Sequence, residues 1–388
     1  MVAEPGDREH LRMTGEWTIV GAGLAGSVLA ERIATRLDQR VTLLERRAYV
    51  GGNANDYVDE HGVLVHRHGP HAFHTNSERV WDYLSRFTEW HPYEHRVVAD
   101  IDGRLVPVPF NLTSLATLWP KRAALRLATR LISEFGAGAQ VPVLELLDHR
   151  DGDIRELART VYERLLHGYT VKQWGLAPEQ LDASVTARVP IRLSHDDRYF
   201  QDRFQALPAQ GYTALMRCLL AHPNIHVELG VDYRELDGRR VIFTGAVDEL
   251  LNYEFGVLPY RGLRFEHLHS AQERVQPCAQ VNYPNQHAYT RITEYKHMTG
   301  QRIPGSSLAR EYPQPHVVGE NDPYYPIPRA ENRALHQRYL EAARSRAPEL
   351  RLAGRLADYR YYNMDQIVAR ALAVFDRMEK ELACPMHA

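Results

Sequence analysis

The first strong periodic signal in the chain is Trp17-Thr18-Ile19-Val20, an apolar β-rich run that stops at Gly21-Ala22-Gly23-Leu24-Ala25-Gly26. Apolar residues then recur at helical spacing from Ser27 to Leu37, and Val41-Thr42-Leu43-Leu44-Glu45 reads as a second buried strand ending on an acid. Strand, glycine turn, helix and strand in this order predict a βαβ unit. From Thr113 to about Tyr169 the period becomes helical, with apolar stripes over Lys121 to Ser133, Val143 to Leu147 and Ile154 to Leu166. Arg96 to Val108 and Val257 to Tyr295 instead show short alternating stretches broken by Pro, Gly and Asn, which predicts antiparallel pairing.

Two later segments return to the βαβ pattern. Ile225 to Leu229 with Val241-Ile242-Phe243-Thr244-Gly245 reads as further buried strands, and Leu352-Ala353-Gly354 precedes a helix from about Asp365 to Glu381. The nucleotide-binding core is therefore expected to be discontinuous along the chain. No repeat with a period of 20 to 50 residues is present, which argues against a solenoid or propeller.

Composition narrows the class. The 388 residues exceed what one core usually serves, so two or three packed subdomains are expected. Basic and acidic residues nearly balance, 47 against 49, so no global field recruits nucleic acid or an anionic membrane, and a polyanion must be gripped by a few placed arginines. Cys218, Cys278 and Cys384 are scattered without a C-x-x-C pair, which suits a reducing cytoplasm. Residues 1–16 are polar and read as a flexible arm, and no apolar run has the length of a membrane span.

The glycine turn carries the first candidate chemistry. Gly21 permits the tight bend, Gly23 lets a pyrophosphate approach the backbone, and Gly26 lets the helix pack on its strand; the helix N-terminus then meets the phosphate charge. Glu45 lies about 20 residues beyond the last glycine, where an acid accepts hydrogen bonds from ribose hydroxyls and repels a 2′-phosphate. Between FAD and NAD the turn itself does not choose. The stretch HRHGPHAFHT, with His66, His68, His71 and His74, raises a metal site; a Gly-Pro turn and the lack of an adjacent Cys or carboxylate set argue against convergence on one ion, and no metal is expected.

Several blocks in order, namely the glycine turn with Glu45 and Gly51-Gly52-Asn53, GPHAFHT, YTVKQW from Tyr169, RYFQDRFQALPAQGY from Arg198, FTGAVDE from Phe243, YRGLRFEH from Tyr260, YTRITEYKH from Tyr289, DPYYPIP from Asp322 and GRLADYRYYNMDQ from Gly354, make the chain similar to the bacterial UDP-galactopyranose mutases. The resemblance spans about Trp17 to Ala371. It implies an α/β fold with a discontinuous Rossmann-like FAD-binding domain over 17–75, 205–256 and 345–388. It also implies an inserted helical subdomain over 113–185 with a mobile loop near 181–192, and an antiparallel sheet subdomain over 76–112, 186–204 and 257–344.

The activity implied is redox-neutral interconversion of UDP-galactopyranose and UDP-galactofuranose on reduced FAD, through a covalent flavin N5-galactose adduct, serving galactofuranose biosynthesis. NAD(P)H is the expected external reductant, UDP and UDP-galactose the expected ligands, a homo-oligomer the expected assembly and the cytoplasm the expected location. By the same resemblance, FAD meets Gly21, Gly23, Leu24, Ala25, Gly26, Glu45, Arg46, Gly52, Asn53, Gly69, His71, Gly245, Gly354, Arg355 and Met364. His71 lies beside the reacting face and His74 near the sugar. Arg188 on the mobile loop and Arg261 as its fixed partner grip the diphosphate, and Arg291 stands next to the flavin. Tyr169 stacks on uracil beside Trp174, and Tyr199, Tyr325 and Tyr361 offer hydroxyls to phosphate, with Tyr325 preferred over Tyr324. Arg355 serves both ligands. Asn363 stands where relatives commonly carry Asp, which removes a charge while keeping an acceptor.

Two other classes compete. FAD-dependent amine oxidases and desaturases share the turn and the C-terminal return but need no diphosphate grip, so paired arginines favour the mutase. A nucleotide-sensing module needs no His71, Arg291 and stacking pair in one cleft.

Overall fold

A computed structural model describes residues 17–182, 190–235 and 240–383. Arg188 and Cys384 lie outside them, as do the expected flexible arm and most of the loop expected near 181–192.

The βαβ unit forms where the pattern placed it: β1 (Trp17–Val20), α1 (Leu24–Arg36) and β2 (Val41–Glu45). The helix begins earlier than the periodicity suggested, because Gly23 caps it inside the glycine turn. A five-stranded parallel sheet grows around β1, in the order Ile225–Leu229, β2, β1, Val241–Phe243, Arg351–Leu352. The long C-terminal helix Met364–Ala383 packs beside α1, and Tyr212–Leu220 joins them. Ile19, Leu43 and Ile242 are fully buried between these layers. Parallel strands covered on both faces explain the continuous apolar runs.

The second sheet has seven strands, running Tyr325–Pro326, Tyr260–Ser270, Ser306–Pro315, Arg291–Glu294, Gln280–Asn282, Val97–Ile101, Arg104–Val108. Every pairing is antiparallel except Gln280–Asn282 with Val97–Ile101, which is parallel. That exception corrects a purely antiparallel reading: the two strands come from distant segments, so no hairpin dictates their direction. A third sheet joins Phe73–Thr75, Phe204–Pro208 and Trp90–Pro92.

The helical insertion contains Leu112–Leu118, Lys121–Phe135, Val143–Leu146 and Gly152–Val161 around a core of Leu127, Leu131, Ile154 and Leu157. The last of these runs on without a break through a π-helical segment, Tyr162–His167, into Gly168–Trp174. Apolar spacing cannot reveal that change of pitch; beyond it Tyr169 meets Arg291 and Trp174 meets Tyr325, both on the seven-stranded sheet. The boundary expected at residue 75 does not coincide with an edge of the core: Val80, Tyr83 and Leu84 of Glu78–Ser85 are buried with the parallel-sheet layer. Helix Ala330–Arg346 likewise departs from the sheet assignment of 257–344 and buries Tyr339 and Ala343 against Val247 and Leu258. Among the described residues no helix is long and apolar enough to cross a membrane.

Candidate active site

One cleft of about 960 Å³ runs from the glycine turn of the parallel sheet to the aromatic end of the helical insertion. In the glycine turn Gly21 holds a φ of +101°, reserved in practice for glycine. A Cβ on Gly26 would stand 1.9 Å from the Gly21 carbonyl oxygen, so only glycine lets α1 approach its strand this closely. No side chain caps α1, which leaves the amides of its first turn facing the cleft wall formed by Gly23, Leu24 and Ala25. Gly26 itself lies behind that wall. Glu45 is buried; its carboxylate accepts from the Ala22 amide at 2.9 Å and the Arg47 amide at 3.0 Å, which ties the turn to the end of β2.

Arg46 lies at the rim, half exposed, paired with Asp322 at 3.0 Å. Asn53 accepts from the Arg47 guanidinium at 3.1 Å, and Gly52 comes against Gly23 so closely that a Cβ would sit 3.0 Å from the Gly23 Cα. Gly69, Gly245 and Gly354 continue the wall, with Met364 opening the C-terminal helix at the cleft. Asn363 lines the cleft and its backbone amide donates to Gln366 Oε1 at 3.0 Å, one half of a capping box.

The four histidines divide their work. The His66 ring is buried, and its Nδ1 accepts from the His71 amide at 2.9 Å. Burial pulls its pKa down to about 4. His68 bridges the hydroxyls of Tyr49 at 2.8 Å and Tyr324 at 2.6 Å. In His71, Nδ1 lies 2.8 Å from the Gly69 carbonyl, which can only accept, so Nδ1 carries the proton and Nε2 the lone pair. Burial, with the charges of His66 and Arg355 adding to it, pulls the His71 pKa to about 3, so the ring is neutral at physiological pH. His74 stacks on Phe200 at 3.6 Å between ring centres, and its Nδ1 is 2.8 Å from Asp202 Oδ2. Among the described residues no three His, Cys, Asp or Glu side chains converge as metal ligands.

At the other end Arg291 contacts the Tyr169 hydroxyl and lies 3.4 Å from Glu311. Burial opposes the charge on Arg291, but Glu311 and Tyr169 outweigh it and raise its pKa above the ordinary value. Tyr325 and Tyr361 stack at 5.2 Å with the Arg355 guanidinium over both rings and Trp174 at their edge. Tyr199 also lines this end. Tyr324 is held by His68, whereas Tyr325 belongs to the aromatic cluster.

Arg261 is not on the cleft wall formed by the described residues. It lies behind Trp174, where Nε donates to the Gln173 carbonyl at 2.9 Å and Nη2 to the Lys172 carbonyl at 3.2 Å, closing the C-terminus of Gly168–Trp174. Arg188, expected to face it across the diphosphate, lies outside the described residues.

Three cleft residues escaped sequence reasoning. Glu311, 3% exposed, lies in Ser306–Pro315 with nothing around it to mark an acid as buried. Phe200 and Asp202 sit within RYFQDRF, a block that was visible, but they meet His74 from across the chain, Asp202 at a separation of 128 residues.

Comparison with known proteins follows the same lines. A family model described as UDP-galactopyranose mutase matches residues 164–361, and one described as an NAD(P)-binding Rossmann-like domain matches residues 19–87. A protein of Klebsiella pneumoniae described as a probable UDP-galactopyranose mutase is 37% identical over 373 residues, 94% of this chain and 95% of that one. A dTDP-fucopyranose mutase of Escherichia coli is 32% identical over 366 residues, 91% of this chain and 96% of that one. The crystal structure of a reduced UDP-galactopyranose mutase superposes with a TM-score of 0.73 at 16% identity, covering 95% of this chain and 94% of that one, a likeness of fold.

Proposed function

This chain belongs to the UDP-galactopyranose mutase family, and we propose from that premise that it interconverts UDP-galactopyranose and UDP-galactofuranose with FAD as its cofactor. The observation that carries the reading is the single cleft in which the glycine turn and the Arg291, Tyr169, Trp174 cluster are continuous.

The residues present fit FAD. The uncapped α1 amides suit a pyrophosphate, and the Gly23–Gly52 approach leaves backbone where a side chain would fill the groove. Gly21, Gly23, Leu24, Ala25, Glu45, Arg46, Gly52 and Asn53 would hold its adenosine diphosphate half; Gly69, His71, Gly245, Gly354, Arg355 and Met364 would hold the remainder. Bound in its reduced form, FAD would supply the nucleophilic N5 that the proposed covalent route needs. NAD(P)H is proposed as the external reductant.

The protein's own part is grip and orientation. Arg291 stays charged and is paired with Glu311, so it places a buried positive charge where negative charge develops. Tyr169 and Trp174 offer flat surfaces to a pyrimidine, while Tyr199, Tyr325 and Tyr361 with Arg355 present hydroxyl and guanidinium donors to phosphate. Arg261 holds the helix that carries Trp174, and Arg188 is proposed as the second diphosphate arginine. His71, neutral with its Nε2 lone pair free of its own backbone contact, accepts a hydrogen bond; His74 and Asn363 meet the sugar.

The test is purified protein assayed with UDP-galactofuranose before and after dithionite reduction. Turnover to UDP-galactopyranose only after reduction is expected. Equal turnover with oxidised flavin removes the N5 role, and hydride removal from an amine in place of isomerisation moves the protein to the oxidase class. A parallel arm with dTDP-fucopyranose asks whether this chain shares the chemistry named for its Escherichia coli relative.

A further inference from the structure

We propose that Asp202 is a positioning residue that keeps a proton on Nδ1 of His74, so that Nε2 of His74 exchanges protons with a sugar hydroxyl; this rests on the mutase reading above. An ionised carboxylate only accepts, so the 2.8 Å contact from Asp202 Oδ2 assigns the hydrogen to Nδ1. In the neutral ring Nε2 is then the acceptor. A base oriented by a third group in this way is the general arrangement of carboxylate-assisted histidines.

The seat is built from several directions. Asp202 Oδ1 accepts from Asn76 Nδ2 at 2.6 Å, and Asn76 Oδ1 in turn accepts from the Arg203 amide at 2.8 Å. The antiparallel register places Gln205 directly opposite His74, and Gln205 Nε2 reaches back to the carbonyls of Asp202 at 2.9 Å and Phe200 at 3.3 Å. Phe200 then lies flat on the His74 ring, with planes 13° apart. The other titratable group on this stack is His95, across Phe200 at 6.1 Å. His74 and Asp202 both line the cleft, their side chains 11% and 24% exposed, so the pair is sheltered yet open to a ligand.

Exchange of ring size moves a proton. Ring opening starts from the doubly protonated imidazole: the C1–O bond breaks with its electron pair leaving on oxygen, a lone pair from the other group bonded to C1 takes its place, and that oxygen takes the Nε2 proton, leaving a neutral imidazole with its hydrogen on Nδ1 facing Asp202. In closure the attacking hydroxyl loses its proton to Nε2 as its oxygen bonds C1 and the donated pair returns to the group beside C1, which restores the doubly protonated imidazole that opening consumes. No proton is gained or lost over the two steps.

The test uses full-length holoenzyme labelled with 15N-histidine, with His74 assigned by loss of its signal in His74→Gln. Nδ1–H is the expected tautomer of the neutral wild-type ring; an Nε2–H ring overturns the proposal without any variant. In Asp202→Asn the Asn76 donor claims the amide oxygen and turns the amide nitrogen towards Nδ1, so the tautomer should reverse. The same variant should lose kcat by about 100-fold or more with KM little changed and flavin retained. Asp202→Glu, which restores a carboxylate, should recover part of kcat. An unchanged tautomer or an unchanged kcat in Asp202→Asn overturns the proposal. Failure of the wild-type enzyme to isomerise UDP-galactofuranose instead sinks the functional reading, and the wild-type tautomer still decides what Asp202 does to His74.

Discussion

Arg291 and Glu311 stand directly opposite each other on neighbouring antiparallel strands, with Arg291 Nε 3.4 Å from Glu311 Oε1. Burial pushes the Glu311 carboxyl up, and Arg291 draws it back only in part. Removing one partner strands the other. We expect Glu311→Gln to lower stability by roughly 3 kcal/mol, in the range for breaking a buried pair, and to lower turnover as Arg291 loses its orientation. Urea denaturation and the isomerase assay read the two effects; wild-type stability in the variant would mean the pair is not coupled.

Gly26→Ala should abolish flavin retention. The new Cβ, 1.9 Å from the Gly21 carbonyl oxygen, meets backbone that cannot step aside without opening the turn. Absorbance near the flavin band after purification checks this. A variant as yellow as the wild type would show that the turn does not govern the cofactor.

Arg261→Ala should raise KM for UDP-galactose about tenfold or more while flavin stays bound. Its two hydrogen bonds to the Gln173 and Lys172 carbonyls hold the last turn that carries Trp174. Each bond from a charged donor contributes roughly 1.5–3 kcal/mol, and losing both frees that turn. Unaltered KM and kcat would remove Arg261 from substrate binding altogether.

The buried histidines make stability pH-dependent. Burial pulls both His66 and His95 to about 4 from an ordinary value of 6.5. Between these limits the unfolded chain binds protons that the folded one refuses, so stability falls as pH falls. From pH 6.5 to 5, above most carboxylates, each ring should cost roughly 2 kcal/mol. Denaturation midpoints across that window should drop steadily, and His95→Gln should shallow the slope; a flat profile would mean these rings are protonated in the fold.

Legibility in the sequence tracked the range of the interaction. The helix Lys121–Phe135 and the strand Val41–Glu45 were readable because apolar period and end residues are set within a few positions. The π-helical Tyr162–His167 was not, since its apolar spacing, with Leu165 and Leu166 buried, reads like that of an ordinary helix. His71 was found from its motif, yet the neutral, Nδ1-protonated state follows only from the Gly69 carbonyl and the burial around it. Arg261 was expected to grip the diphosphate from the block YRGLRFEH, whereas its guanidinium bonds the carbonyls of Gln173 and Lys172, contacts across 88 and 89 residues that the block does not show.

By itself the sequence determined the βαβ unit, the glycine turn and the identity of the cationic and aromatic side chains, because local backbone preference and apolar period are written within single segments. Only the tertiary structure decided that Glu311 meets Arg291 and that Asp202 meets His74, since strand register between distant segments brings those charges together. A charged side chain becomes a counterion or a base through its neighbours' distance and burial, and neither is a property of its own position in the chain.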